Sequence, residues 1–163
     1  MSGLMLPGKE ALEDHFGTLF DVDVKISVSQ PRELVDTDVI VGFRTESGQD
    51  YALMIMDLPL AVGSAGALGV IPRGSLEVSL KSQRVEPKLM ANVQEIGNIS
   101  MGLFRASSAA GPRLLRLLCV QLDAASYPRM ARLFRQAGSS AFFTVSLGLY
   151  GQGSIAFALI HPG

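Results

Sequence analysis

At 163 residues, with 48% hydrophobic and 18% charged side chains, the chain is too apolar for disorder and long enough to bury the core of one domain over 1–163. A formal charge of −1 excludes a nucleic-acid or membrane-surface binder held by bulk electrostatics. The single cysteine, Cys119, allows no internal disulfide, and the first residues lack a secretion-type apolar stretch, so a cytoplasmic location is expected.

Residues 9–19 predict a short amphipathic helix with Leu12, Phe16 and Leu19 on one side. Over 21–29, Val22, Val24, Ile26 and Val28 alternate with Asp21, Asp23, Lys25 and Ser27, the period of a strand with one wet face. The stretch 30–36 contains Pro31 and reads as a connection. Strands follow over 37–45 and 51–56, joined by a hairpin turn that contains Gly48. A second helix is expected over 58–70. Gly63, Gly66 and Gly69 match neither a dinucleotide nor a P-loop spacing and predict close packing of this helix on the sheet. Asp57 and Pro59 interrupt the most apolar window, 51–72, which therefore reads as strand and helix with no membrane insertion. Residues 71–83 read as a link.

The stretch 85–112 predicts one long helix of roughly two dozen residues, about 35 Å. Glu86 is the candidate cap, with Pro87 in the first helical position and Val85 placed to pack on Met90. Gly111 and Pro112 supply the stop. At about 100° per residue, Val85, Leu89, Val93, Ile96, Ile99, Leu103 and Phe104 share a broad core-facing arc. The opposite arc carries Ala91, Gln94, Glu95, Asn98, Gly102 and Arg105. Glu95 and Asn98, three apart, are neighbours on that face. Ala91 and Gly102 leave low shoulders on either side of them. Such a face is either a site or an ordinary solvated surface.

Beyond Pro112, residues 114–122 are near-continuously apolar and predict a central strand. Residues 127–136 predict a short helix with Met130 and Phe134 inward and Arg129, Arg132 and Arg135 outward. Strands over 140–149 and 154–160 form a second hairpin around Gly151 and Gln152, which can be laid over the first at Gly48 and Gln49. Helix, strand and hairpin thus occur twice, about a hundred residues apart, the pattern of an internal duplication.

The run Glu95-Ile96-Gly97-Asn98-Ile99-Ser100-Met101-Gly102 resembles the signature helix of the CheC/CheX/FliY family of chemotaxis phosphatases, whose motif is Glu-x-x-Asn. The order of elements is similar over nearly the whole chain. The resemblance implies an α+β, CheC-like fold of two pseudo-symmetric halves, with one extended sheet and long helices outside it. It implies a substrate too: the aspartyl phosphate of a CheY-like response regulator, whose receiver domain carries its own Mg²⁺. The phosphatase itself needs no cofactor. Glu95 would pair with a lysine of the receiver and Asn98 would fix the attacking water. Ala91, Gln94, Gly102 and Arg105 would lie in the contact. The family also allows a homodimer. Ala91 stands where many members have Asp or Ser, and Pro112 and Pro128 miss the usual proline position. The first helix has Phe16 three residues after Glu13, so the chain resembles the one-site CheX type. Two readings stay open: a phosphatase, or a non-catalytic module on the same scaffold that docks a receiver domain or joins a flagellar-switch or signalling assembly.

Other chemistry is weakly represented. His15 and His161 lie at opposite ends of the chain, which gives a metal site or triad little to stand on. Cys119 lies in an apolar run and reads as a buried, inert thiol. Arg105, Arg113, Arg116, Arg129, Arg132 and Arg135 make the second half basic, but only Tyr127 and Phe134 lie near them as stacking residues, so no nucleic-acid partner is expected.

Overall fold

The computed structural model describes residues 3–104 and 113–161. In chain order the first half holds α1 (Lys9–Leu19), β1 (Val24–Val28), β2 (Val39–Thr45), β3 (Tyr51–Met56) and α2 (Leu58–Gly69). A 3-10 turn (Arg73–Leu76) and the short α3 (Glu77–Ser82) lead into α4 (Pro87–Ser100), which tightens into a second 3-10 turn (Met101–Phe104). The second half continues with β4 (Leu114–Gln121), α5 (Tyr127–Arg135), β5 (Ser139–Leu147) and β6 (Gln152–Ile160).

All six strands form one antiparallel sheet in the order β1-β5-β6-β3-β2-β4. The two hairpins meet in the middle, where β3 pairs with β6 and Met54 stands opposite Phe157. The outer strands are exchanged: β1 of the first half flanks the second hairpin, and β4 of the second half flanks the first. Each half therefore completes the sheet of the other. This is the two-halved α+β architecture expected from the repeated element order.

Period-two alternation divides the core. Val39, Val41, Phe43, Met54, Met56, Phe157 and Leu159 face α1, α2 and α4, while Ile40, Leu53, Ile55, Ala156, Ala158 and Ile160 face Leu34, Leu122 and Phe134. On the first side Phe104 sits between Phe43 and Phe157, with ring centroids 5.8 and 5.6 Å away. The helix α2 is buried almost throughout. Asp57 caps it by accepting the Leu60 N–H at 2.9 Å. The same carboxylate accepts from both the backbone N–H and the hydroxyl of Ser154, and so ties α2 to β6. A Cβ added at Gly63 would lie 2.6 Å from the Tyr150 carbonyl oxygen, so close packing accounts for that glycine.

Four expectations need correction. The strand β4 is an edge strand, not a central one: Leu115, Leu117 and Val120 are each about 40–50% exposed. A continuous apolar run does not by itself distinguish a strand covered on both faces from one whose side chains remain partly open. The link over 71–83 is largely helical. The α-helix of the central stretch ends at Ser100, because the following 3-10 turn carries Phe104 down into the aromatic cluster. Gly111 and Pro112, expected to stop it, lie outside the described residues. Ile99, expected in the core, is 44% exposed.

Candidate functional site: the outward face of the fourth helix

Helix α4 begins where Pro87 fixes the first turn, and the Glu86 carbonyl accepts from the N–H groups of Leu89 and Met90. Its buried seam is Leu89, Val93, Ile96, Gly97 and Ser100. Side-chain hydrogen bonds help fix its position against its neighbours. Asn92 Nδ2 donates to the Ala65 carbonyl on α2 at 3.0 Å. Gln121 Oε1 on β4 accepts the Val85 N–H, just before the helix, at 2.8 Å. His15 Nε2 on α1 lies 3.0 Å from the hydroxyl of the fully buried Ser100. Gly97 lets the helix press onto β2: a Cβ there would sit 2.8 Å from Val41 Cγ1.

With the seam held in this way, the other side of the helix is turned to solvent. Glu95 and Asn98 are both exposed, and neither side chain makes a hydrogen bond or ion pair with another described residue. Ala91 and Gly102 are exposed beside them, and a Cβ at Gly102 would meet nothing within 4 Å. Gln94 is half-buried at the margin. Arg105 lies outside the described residues.

Ile99 was missed as part of this face. Counting from Val93, it lies about 120° from the seam, whereas Gly97, Ser100 and Phe104 fall within about 40° of it. The small residues at 97 and 100 were the available signal, because a helix pressed onto a sheet needs small side chains at the closest approach. The arc of apolar residues is wider than the buried seam, and Ile99 lies at its outer edge. The run thus resolves into alternating duties: Ile96, Gly97 and Ser100 hold the helix, while Glu95, Asn98, Ile99 and Gly102 face outward.

The remaining candidates do not converge. Burial pushes the Cys119 thiol up to about 11 against a smaller opposing effect of Arg116, which leaves it protonated and unreactive near neutral pH. Burial lowers the pKa of His15. His161 Nδ1 lies 2.6 Å from Asp50 Oδ1, on the other histidine's far side of the sequence. Among the described residues no group of three His, Cys, Asp or Glu side chains could hold a metal ion. Phe134 is buried edge-on to Phe142, so it offers no stacking face beside Arg129, Arg132 and Arg135. No helix of the described residues is long and apolar enough to cross a membrane.

No family model matches the chain, and no curated protein matches it in sequence. Solved structures do match in fold. The FliM middle domain of Vibrio alginolyticus aligns with a TM-score of 0.58 at 12% identity, over 90% of this chain and 85% of that one. A chain of the CheX-CheY-BeF3-Mg²⁺ complex from Borrelia burgdorferi aligns at 0.52 and 12% identity, over 92% and 95%. Thermotoga maritima FliY aligns at 0.52 and 13% identity, over 91% and 81%. With its exchanged outer strands and central pair of hairpins, the chain has the CheC-like fold shared by CheX, FliY and the FliM middle domain.

Proposed function

We propose that the chain is a phosphatase acting on the aspartyl phosphate of a CheY-like response regulator. The observation that carries this reading is the pairing of an unengaged carboxylate and an unengaged carboxamide, Glu95 and Asn98, on a rigidly held helix face with low shoulders. Resemblance of the surrounding run to the Glu-x-x-Asn helix supports it, as does a shared fold with a protein solved in complex with CheY.

In the reaction, water attacks phosphorus in line with the departing aspartate carboxylate. The phosphorus–carboxylate oxygen bond breaks and a bond to the water oxygen forms, releasing inorganic phosphate and the free aspartate. Phosphoryl transfer of this kind depends on positioning and charge stabilisation more than on covalent help from the protein. The Asn98 carboxamide accepts a hydrogen bond from the water and donates one to a phosphoryl oxygen, which fixes the line of attack without requiring a strong base. Glu95 pairs with a lysine of the receiver and sets the register of the two surfaces. Mg²⁺ belongs to the receiver and arrives with the substrate. The exposed part of Ile99 lies beside the pair and supplies an apolar contact that desolvates on docking.

Loss of radiolabel from a phosphorylated receiver tests the reading. Asn98→Ala is expected to lower the catalysed rate at least 100-fold, while receiver binding stays within about threefold of the parent. Unchanged dephosphorylation in this variant disposes of the assignment. A second reading, a docking module without catalysis, draws on the fold shared with FliM middle domains, including one solved in complex with FliG. It is the outcome if the unaltered protein binds the receiver and leaves the label in place.

A further inference from the structure

The two edges of the sheet are guarded very differently. The strand β1 is only five residues long, carries the exposed Lys25, and runs on towards Pro31. A short strand, a charged side chain and a nearby proline are the usual defences of an edge. At the other edge β4 is eight residues long and, among the described residues, pairs on one side only, with β2. Its register places Leu115, Leu118 and Val120 on the α5 side of the sheet, opposite Arg44, Gly42 and Ile40. Arg116, opposite Phe43, falls on the α4 side. Leu117 sits at a bulge and is 48% exposed.

Charge separates the possible occupants of this edge. Arg113, Arg116 and Arg44 are exposed, and none is in an ion pair among the described residues. Glu46, whose N–H bonds the Arg113 carbonyl, makes no ion pair with any of them. The stretch 113–121 contains two arginines and no acid. An antiparallel second copy centred between Leu114 and Leu115 would set Arg113 against Arg116 of the copy, and like charges across a strand pair are destabilising. The bulge also divides the ladder into two short regular parts, Leu114–Arg116 and Leu118–Gln121.

We propose that β4 is a docking edge for an extended acidic segment of a different protein, added as a seventh strand. Main-chain hydrogen bonds along 118–121 supply the pairing. Alternate apolar residues of the segment cover Leu115, Leu118 and Val120, and the intervening acids meet Arg116 on the opposite side of the sheet. Arg44 and Arg113 widen the positive field and speed encounter. This surface is separate from the phosphatase reading and does not depend on it.

The test uses a synthetic octapeptide of alternating valine and glutamate, N-methylated along one edge so that it cannot stack on itself, and the same peptide with lysine in place of glutamate. The glutamate peptide is expected to bind at low salt and to slow amide exchange within 114–121. The lysine peptide is expected to bind at least tenfold more weakly. The Arg116→Glu variant, checked for fold by circular dichroism, should reverse that preference. Equal binding of the two peptides overturns the proposal, as does protection confined to another part of the sheet. Concentration-dependent dimerisation that itself slows amide exchange within 114–121 also overturns it and assigns the edge to a second copy.

Discussion

Helices α1 and α4 stand at corresponding places in the two halves, each ahead of a strand and a hairpin and each on the same face of the sheet. Their inner sides do similar work by different means. The helix α1 buries Leu12 and Phe16, and Phe16 packs on Phe20 with ring centroids 5.5 Å apart. The helix α4 sets Gly97 onto Val41 of β2 and the buried Ser100 beside His15 of α1, small residues where α1 uses bulk. Their outer sides differ in chemistry. The exposed residues of α1 include Glu10, Asp14, Gly17 and Thr18, acids and small groups with no carboxamide. On α4 the same aspect holds Glu95, Asn98 and Ile99, an acid, an amide and an apolar side chain together. Of these two helices, only α4 sets an acid, a carboxamide and an apolar side chain together on its exposed side. The packing is symmetric and the chemistry is not.

The strongest structural test of this contrast is a matched pair of glycine substitutions. In Gly97→Ala the new methyl group would start 2.8 Å from Val41 Cγ1, so α4 must lift or β2 must shift. Overpacking of this kind costs about 1–3 kcal/mol, and thermal unfolding should show a drop of several degrees. In Gly17→Ala the methyl group enters open space on α1 and gains helix propensity, so a stabilisation of about 0.5–1 kcal/mol is expected. Opposite signs sharpen the comparison. Equal destabilisation of both variants would mean that α1 is held as closely as α4, and the contrast would fail.

Much of this was legible in the sequence, for identifiable reasons. The bounds of β3 were read without error because the turn at Gly48 precedes it and Asp57 and Pro59 interrupt the apolar run that follows. Glu86 and Pro87 located the start of α4 because the first turn has strong local rules. Its end was misjudged because the demand that ends it is tertiary, the burial of Phe104 between Phe43 and Phe157. The edge position of β4 was hidden for the same reason. Which strand lies outermost depends on the exchange between halves, and nothing within 114–121 encodes it. Glu95 and Asn98 were placed outward by periodicity alone, but Ile99 was not, because hydrophobicity was taken as direction.

Ile99 gives a second way to probe the asymmetry, with a smaller effect. It is already 44% exposed, so Ile99→Ala should alter stability by less than the 2–5 kcal/mol typical of a fully buried aliphatic truncation. If this face docks a receiver, the lost apolar contact should weaken binding about tenfold, or about 1.4 kcal/mol. Thr18→Ala, on the outward side of α1, should leave affinity unchanged. Titration calorimetry with a stably activated receiver reads both. Comparable losses in the two variants would spread the contact across both helices and end the one-sided reading.

The smallest effect is a pH dependence that comes from the contact between the two helices. Burial lowers the pKa of His15 in the folded state, where its Nε2 lies 3.0 Å from the Ser100 hydroxyl. The unfolded chain, with an ordinary histidine pKa of about 6.5, takes up the proton first as pH falls. Folding is therefore favoured by the neutral ring. This contribution is fully present above about pH 6.5 and declines as pH drops from there towards the lower folded-state value. Replacing the ring by Asn in His15→Asn should remove that slope. The difference in unfolding free energy between parent and variant should shrink between about pH 7.5 and pH 5.5, while contributions from the shared carboxylates cancel. A difference that grows towards acid would mean that the folded state prefers the imidazolium, and α1 would then hold α4 through a charge instead of a neutral hydrogen bond.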